Sequence, residues 1–157
     1  MRVRVLAVGT RMPDWVRAGC TEYLSRIAGP LSLSLEPIES ANRGGPAAQA
    51  RAAQVEGERL LRALRPQEFV VALDERGREF ATRELAAWLG ERRQAGSDVA
   101  LLIGGPDGLA EAVLARCELR WSLSRLTLPH ALVRIVLLEQ LYRAHTLLAG
   151  HPYHRDG

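Results

Sequence analysis

Lysine is absent from this 157-residue chain: all 21 of its basic residues are arginine. The absence removes whole reaction classes, since no Schiff base can form and no Walker-type phosphate loop can carry its lysine. An arginine-only cation set suits bidentate phosphate contacts and stacking on bases, and a GC-rich coding bias gives the same composition. Against 18 acidic residues the arginines leave a formal charge of +3, which permits a nucleic-acid partner without requiring one. Cysteine is scarce too. Cys20 and Cys117 stand far apart in no C-x-x-C pair, so neither a zinc site nor a disulfide framework is expected; both read as buried thiols in a reducing cytosol. No apolar run approaches the roughly 18 residues of a membrane span, and the amino-terminal apolar stretch is too short for a signal peptide. These absences predict a soluble cytoplasmic protein with no metal and no membrane association.

What is present is globular: 47% hydrophobic and 25% charged residues, without repeats or low-complexity tracts, over a length that suits one domain spanning 1–157. Val3, Val5, Ala7 and Val8 form a strand ending at Gly9-Thr10, and Pro13-Asp14 opens a helix that Gly29-Pro30 breaks. Leu31 to Leu35 alternates as a half-buried strand and is expected to stop at Pro37; Glu39 to Pro46 reads as a mobile turn region. A helix over 47–64 should turn Val55, Leu60, Leu61 and Leu64 inward. Phe69 to Leu73 is a continuous apolar run of the central-strand kind, expected to end at Asp74 and a turn around Gly77. A helix over 82–93, a strand over 99–103, a short helix from Leu109, a fifth strand near Trp121 and a long helix over 131–149 complete a β-α alternation. The pattern predicts an α/β fold with a mostly parallel sheet and helices on both faces. Ligands in such sheets bind beyond the carboxyl ends of the strands, where Leu73, Gly104 and the segment after Trp121 all fall.

Leu101-Leu-Ile-Gly-Gly-Pro-Asp-Gly108 carries three glycines in its last five residues, so its backbone can approach a ligand closely. It matches neither G-x-G-x-x-G nor the Walker pattern, and it holds no cation to meet a phosphate. A tight βα turn needs glycines for geometry alone, so the loop by itself does not distinguish a site from a turn. Ser122, Ser124, Thr127 and His130 lack a nucleophile elbow, which argues against a serine hydrolase. His130 follows Pro129 at the start of the last helix, where an imidazole either caps the helix or touches a substrate. The closing His151-Pro-Tyr-His154-Arg155 gathers two imidazoles, a phenol and a guanidinium, groups that stack on bases and bind phosphate; Arg11 and Trp15 form a smaller group of the same kind. With little apolar surface to offer, the tail is expected to grip substrate and contribute little to folding. The last helix is apolar over more than one face, which a partner subunit would cover through residues such as Leu137 or Leu141.

Taken in order, Val5 to Trp15, Leu101 to Gly108, Trp121 to His130, Arg134 with Glu139-Gln-Leu-Tyr-Arg-Ala144, and His151 to Arg155 resemble the bacterial 23S ribosomal RNA pseudouridine N3-methyltransferases of the SPOUT class, over the whole chain. The resemblance implies a deep trefoil knot at the carboxyl end, a homodimer, and S-adenosylmethionine as methyl donor. It places the donor pocket on Leu73, Gly104, Leu123, Ser124, Arg125, Leu126, Thr127 and Leu128. It implies methylation at N3 of a pseudouridine in 23S ribosomal RNA on assembled ribosomes; the chemistry of the side chains, and not the resemblance, sets the expectation that His130, Tyr153, His154 and Arg155 surround the target base, with Arg134 assisting. Arg11 stands where lysine is common, and the region 43–54 is poorly matched; neither departure is expected to touch the pocket. The rival reading from another class is a non-catalytic ribosome- or RNA-binding factor of the same fold. A nicotinamide-dependent oxidoreductase is disfavoured by the missing dinucleotide fingerprint.

Overall fold

The computed structural model describes residues 1–27 and 31–153; the expected break at Gly29-Pro30 lies outside them, as do His154 and Arg155. Five strands, β1 (Arg2–Val8), β2 (Ser32–Ile38), β3 (Phe69–Glu79), β4 (Val99–Ile103) and β5 (Leu119–Ser122), alternate with helices α1 (Asp14–Arg26), α2 (Pro46–Ala63), α3 (Thr82–Gln94), α4 (Glu111–Arg116) and α5 (His130–Leu148). They form one sheet in the order β2-β1-β4-β3-β5, every strand pairing parallel to its neighbours. Side-chain alternation sorts the core into two layers. Val3, Val5, Ala7 and Leu101 pack with α1, α3 and α5 on one face, while Leu6, Val8, Val70 and Leu102 pack with Leu60 of α2 and Val113 of α4 on the other. A strand buried on both faces has no polar side to show, which is why Phe69–Leu73 of β3 and all of β4 read as apolar runs.

Three expectations are corrected. β2 does not stop at Pro37: the proline pairs with Ala7 and the strand runs to Ile38, because an edge strand leaves one row of backbone groups unpaired and tolerates a missing N–H. β3 does not end at Asp74. It resumes after an irregularity between Leu73 and Arg78, where a Cβ on Gly77 would sit 2.6 Å from the backbone of Arg120, so only glycine lets the two strands approach there. In α2 the buried face is Ala52, Glu56, Gly57 and Leu60, a carboxylate included, while Val55, Leu61 and Leu64 are only partly covered.

Helix ends fix the loops. Gly150, at φ +69°, follows α5 as its left-handed terminator; its N–H donates to the Leu147 carbonyl and that of His151 to Thr146. This motif turns the chain back on α5, so Tyr153 lies against Tyr142 with ring centroids 4.6 Å apart. Tyr153 therefore does take part in packing, contrary to expectation. Leu137 and Leu141 are fully buried against the sheet within one chain, so neither is available to a partner.

Candidate active site

The carboxyl ends of β4, β3 and β5 lie side by side, and beyond them opens a cavity of about 720 Å³. Leu73 ends the regular part of β3 on its floor. The turn Gly104 to Leu109 makes one wall and the stretch Ser122 to Leu128, with His130 and Val133 of α5, another. The turn closes on itself: Gly108 N–H donates to the Gly105 carbonyl at 3.0 Å, and a Cβ on Gly104 would lie 2.6 Å from the carbonyl carbon of Gly108. Opposite, Ser122 Oγ donates to the Ser124 carbonyl and Leu126 N–H to Ser124 Oγ. These short bonds spend the serine hydroxyls on loop shape.

Of the residues expected around a donor, Leu73, Gly104, Leu123, Ser124, Leu126, Thr127 and Leu128 all line the cavity. Arg125 does not; its guanidinium turns outward to Glu79 at 3.1 Å with 90% of the side chain exposed. The lining also holds groups that sequence reasoning missed: Asp74, Glu75, Asp107 and Glu111, against Arg76 and Arg120. Strand-end position alone marks Asp74; nothing in spacing marks the others.

His130 lines the cavity at the first residue of α5, and its ring Nε2 lies 2.9 Å from the Val8 carbonyl oxygen. It does not cap the helix with its side chain. A carbonyl only accepts, so Nε2 carries the hydrogen and, in the neutral ring, Nδ1 keeps the lone pair. Arg134, one turn on, is only 1% exposed and is no part of the cavity wall. Its Nη2 donates to the carbonyls of Val8 at 2.8 Å and Gly9 at 2.9 Å, while Nε and Nη1 are buried without a hydrogen-bond partner among the described residues. Burial pushes this guanidinium below its usual range, and a Cβ on Gly9 would meet it at 3.0 Å.

Tyr153 is not brought to His130. Its hydroxyl donates to Glu139 at 3.3 Å and its ring packs on Tyr142 beneath the Arg143 guanidinium, positions about 14 and about 18 Å along α5 from His130 at about 1.5 Å per residue. Burial, with the Glu139 carboxylate and the Tyr23 hydroxyl beside it, pushes the phenol up to about 12. Trp15 and Arg11 stand exposed beyond the carboxyl end of β1. Among the described residues no group of three or more His, Cys, Asp or Glu is placed to hold a metal, and no helix is long and apolar enough to cross a membrane.

One expectation about the periphery is overturned. Arg43, in the poorly matched region, does not line the cavity but does touch a residue that does: its guanidinium pairs with Glu56 at 2.7 Å and with Asp107 of the glycine turn at 3.3 Å.

Residues 1–154 match the family model described as "Predicted SPOUT methyltransferase". Proteins named "Ribosomal RNA large subunit methyltransferase H" are similar over nearly the full length. That of Chromohalobacter salexigens is 59% identical over 99% of this chain and 100% of its own. Those of Thioalkalivibrio sulfidiphilus and Pseudomonas aeruginosa are 52% and 51% identical at the same coverage. With a five-stranded parallel α/β sheet carrying its cavity at the strand ends, the chain belongs to the SPOUT methyltransferase family.

Proposed function

We propose that this chain, as one domain and as a homodimer in the cytoplasm, methylates N3 of a pseudouridine in 23S ribosomal RNA on the assembled ribosome, with S-adenosylmethionine as donor. The full-length similarity to proteins named for the large ribosomal RNA supports the substrate class. The observation that carries the mechanism is His130, in the cavity wall with Nε2 committed to the Val8 carbonyl and Nδ1 left as an acceptor.

The cavity suits the donor in size and charge. Its volume lies within the roughly 300–1,000 Å³ of small-molecule sites, its wall mixes aliphatic side chains with polar and charged ones, and its carboxylates outnumber its guanidiniums, which suits a cationic sulfonium. Bound there, the donor supplies an electrophilic methyl group. The protein has two further tasks: to align the base and to manage the N3 proton. His130 Nδ1 accepts that proton, while Nε2–H, held by Val8, fixes the ring. α5 begins at the same wall with no acidic residue in its first turn, so its positive end favours the anion that develops on the imide. Arg134 acts one layer back: it clamps the Val8 and Gly9 carbonyls and thereby the ring's anchor. Tyr153, neutral at physiological pH, serves as a hydrogen-bond donor and stacking group.

The tail's distance from His130 within one chain supports a composite site in which a second copy's tail, with Tyr153, His154 and Arg155, meets the target base. Leu132 and Val136 support the dimer: both are partly exposed on α5 and pack against neither core layer. The knotted chain path belongs to the same reading, in which residues of both the 104–109 and 122–128 stretches line the cavity.

Mass spectrometry of 23S ribosomal RNA from a deletion strain tests the reading: loss of one methylated pseudouridine, restored by the wild-type gene and not by His130→Gln, is expected. Glutamine keeps a donor for Val8 and removes the base. An unchanged methylation pattern in the deletion strain overturns the assignment in favour of an RNA-binding factor without catalysis.

A further inference from the structure

Glu56 is a buried carboxylate that the chemistry above does not use. Its side chain is 2% exposed, on the face of α2 that carries Gly57 and Leu60 into an apolar layer. Removing a carboxylate from water is costly unless the charge is paired and hydrogen-bonded. Oε1 is satisfied: it accepts the Ala41 N–H at 3.0 Å and meets Arg43 Nη1 at 2.7 Å. Oε2 has no hydrogen-bond partner, and it lies 2.5 Å from the point a Cβ on Gly105 would occupy. Arg43 Nη2 is 3.2 Å from that same point and 3.3 Å from Asp107 Oδ2. A chain of carboxylate, guanidinium and carboxylate thus underlies the glycine turn, touching it at Gly105 and Asp107 on the side away from the cavity.

Tethering 39–45 to the fold does not require this arrangement. Arg59 already holds that segment, through the carbonyls of Glu39 at 2.9 Å and Ser40 at 3.0 Å, without burying an acid. What Arg43 and Glu56 add is contact with the turn. We infer that Arg43 and Glu56 are positioning residues for the donor: they hold the Gly105–Asp107 turn in the shape that forms the cavity wall, so that the 39–45 segment is part of the binding site's support. The inference rests on the reading that the donor occupies this cavity. It also gives Gly105 a reason to lack a side chain that is independent of turn geometry.

The test is titration calorimetry of the full-length protein with S-adenosylmethionine, paired with amide hydrogen exchange across 104–108 in the absence of donor. Arg43→Met is expected to weaken donor affinity roughly tenfold or more and to speed exchange in the turn. Arg59→Met, which loosens the same segment without touching the turn, is expected to leave both within about twofold of wild type. Arg43→Met leaves Glu56 buried and unpaired, so the double variant Arg43→Met/Glu56→Gln guards against simple unfolding; it removes both charges and is expected to fold, bind weakly and exchange fast. A double-mutant cycle of Arg43→Met with Asp107→Asn should be non-additive if Arg43 acts through the turn. Donor affinity and exchange unchanged in the double variant overturn the inference and leave the donor assignment standing. Absence of heat from the wild type overturns the donor assignment, and with it this inference.

Discussion

Gly104 shows how little room the site allows. Its missing Cβ would fall 2.6 Å from the Gly108 carbonyl carbon and 3.0 Å from Leu109 N, and both are backbone, which cannot swing aside. Gly104→Ala is therefore expected to displace the turn, costing about 1–3 kcal/mol in denaturant unfolding and weakening the donor roughly tenfold or more in calorimetry. Unchanged donor affinity would mean that the turn does not shape the donor pocket. Arg134 poses the opposite case, a large side chain whose charge lacks a carboxylate hydrogen-bonded to it. Arg134→Met should remove the side-chain donor to the Gly9 carbonyl, leave Val8 with His130 alone, and cost about 2 kcal/mol by thermal or urea melts. At this scale Gly104 and His130 were legible because turn chemistry and a helix start mark them. Arg43 and Glu56 were not, since an arginine in a turn region and a glutamate in an arginine-rich helix look like solvated surface until the fold brings them together.

Among the elements, the β1–β2 pairing carries a pH signature. Arg4, buried on β1, is bonded by Glu36 of β2 at 2.7 Å and by buried Glu68 at 2.9 Å. The hydrogen bond from Arg4 holds the Glu36 carboxyl below the usual carboxylate range. A depressed folded value stabilises above the unfolded value, about 4.3, and that contribution is lost as pH falls through the lower folded one. Melting temperature should accordingly drop on acidification below that value, and less steeply in Glu36→Gln; identical acid slopes would remove Glu36 from the account. The end of α5 makes a second prediction. Tyr153→Ala should destabilise by about 1 kcal/mol through the lost Tyr142 edge contact, and Tyr153→Phe by less, since it forfeits only the Glu139 bond. Helix positions and strand cores were visible in the sequence. The continuation of β2 through Pro37 and of β3 past Gly77 was not, because each depends on which neighbour lies alongside.

For the whole molecule, the proposed dimer would use a different face of α5 from the one the apolar pattern suggested, since Leu137 and Leu141 are buried within one chain. Leu137→Arg places an unpaired charge against the sheet and is expected to unfold the chain, whereas Val136→Arg, on the face outside both core layers, should yield a folded monomer by sedimentation velocity. Wild-type protein sedimenting as a monomer at micromolar concentration would refute the dimer and the composite site together. The sequence by itself determined the β-α alternation, the parallel sheet and which strand ends border the cavity, because period-two and period-3.6 patterns and glycine-rich turns are local signals. Only the tertiary structure decided that Arg125 leaves the cavity, that Arg134 works from behind its wall, that Tyr153 lies along α5 away from His130, and that Arg43 reaches the glycine turn. Except for Tyr153, which folds back on its own helix, each of these is settled by contacts across tens of residues, where a side chain's role depends on what the sheet order places within about 3 Å of it, and no local pattern encodes that order.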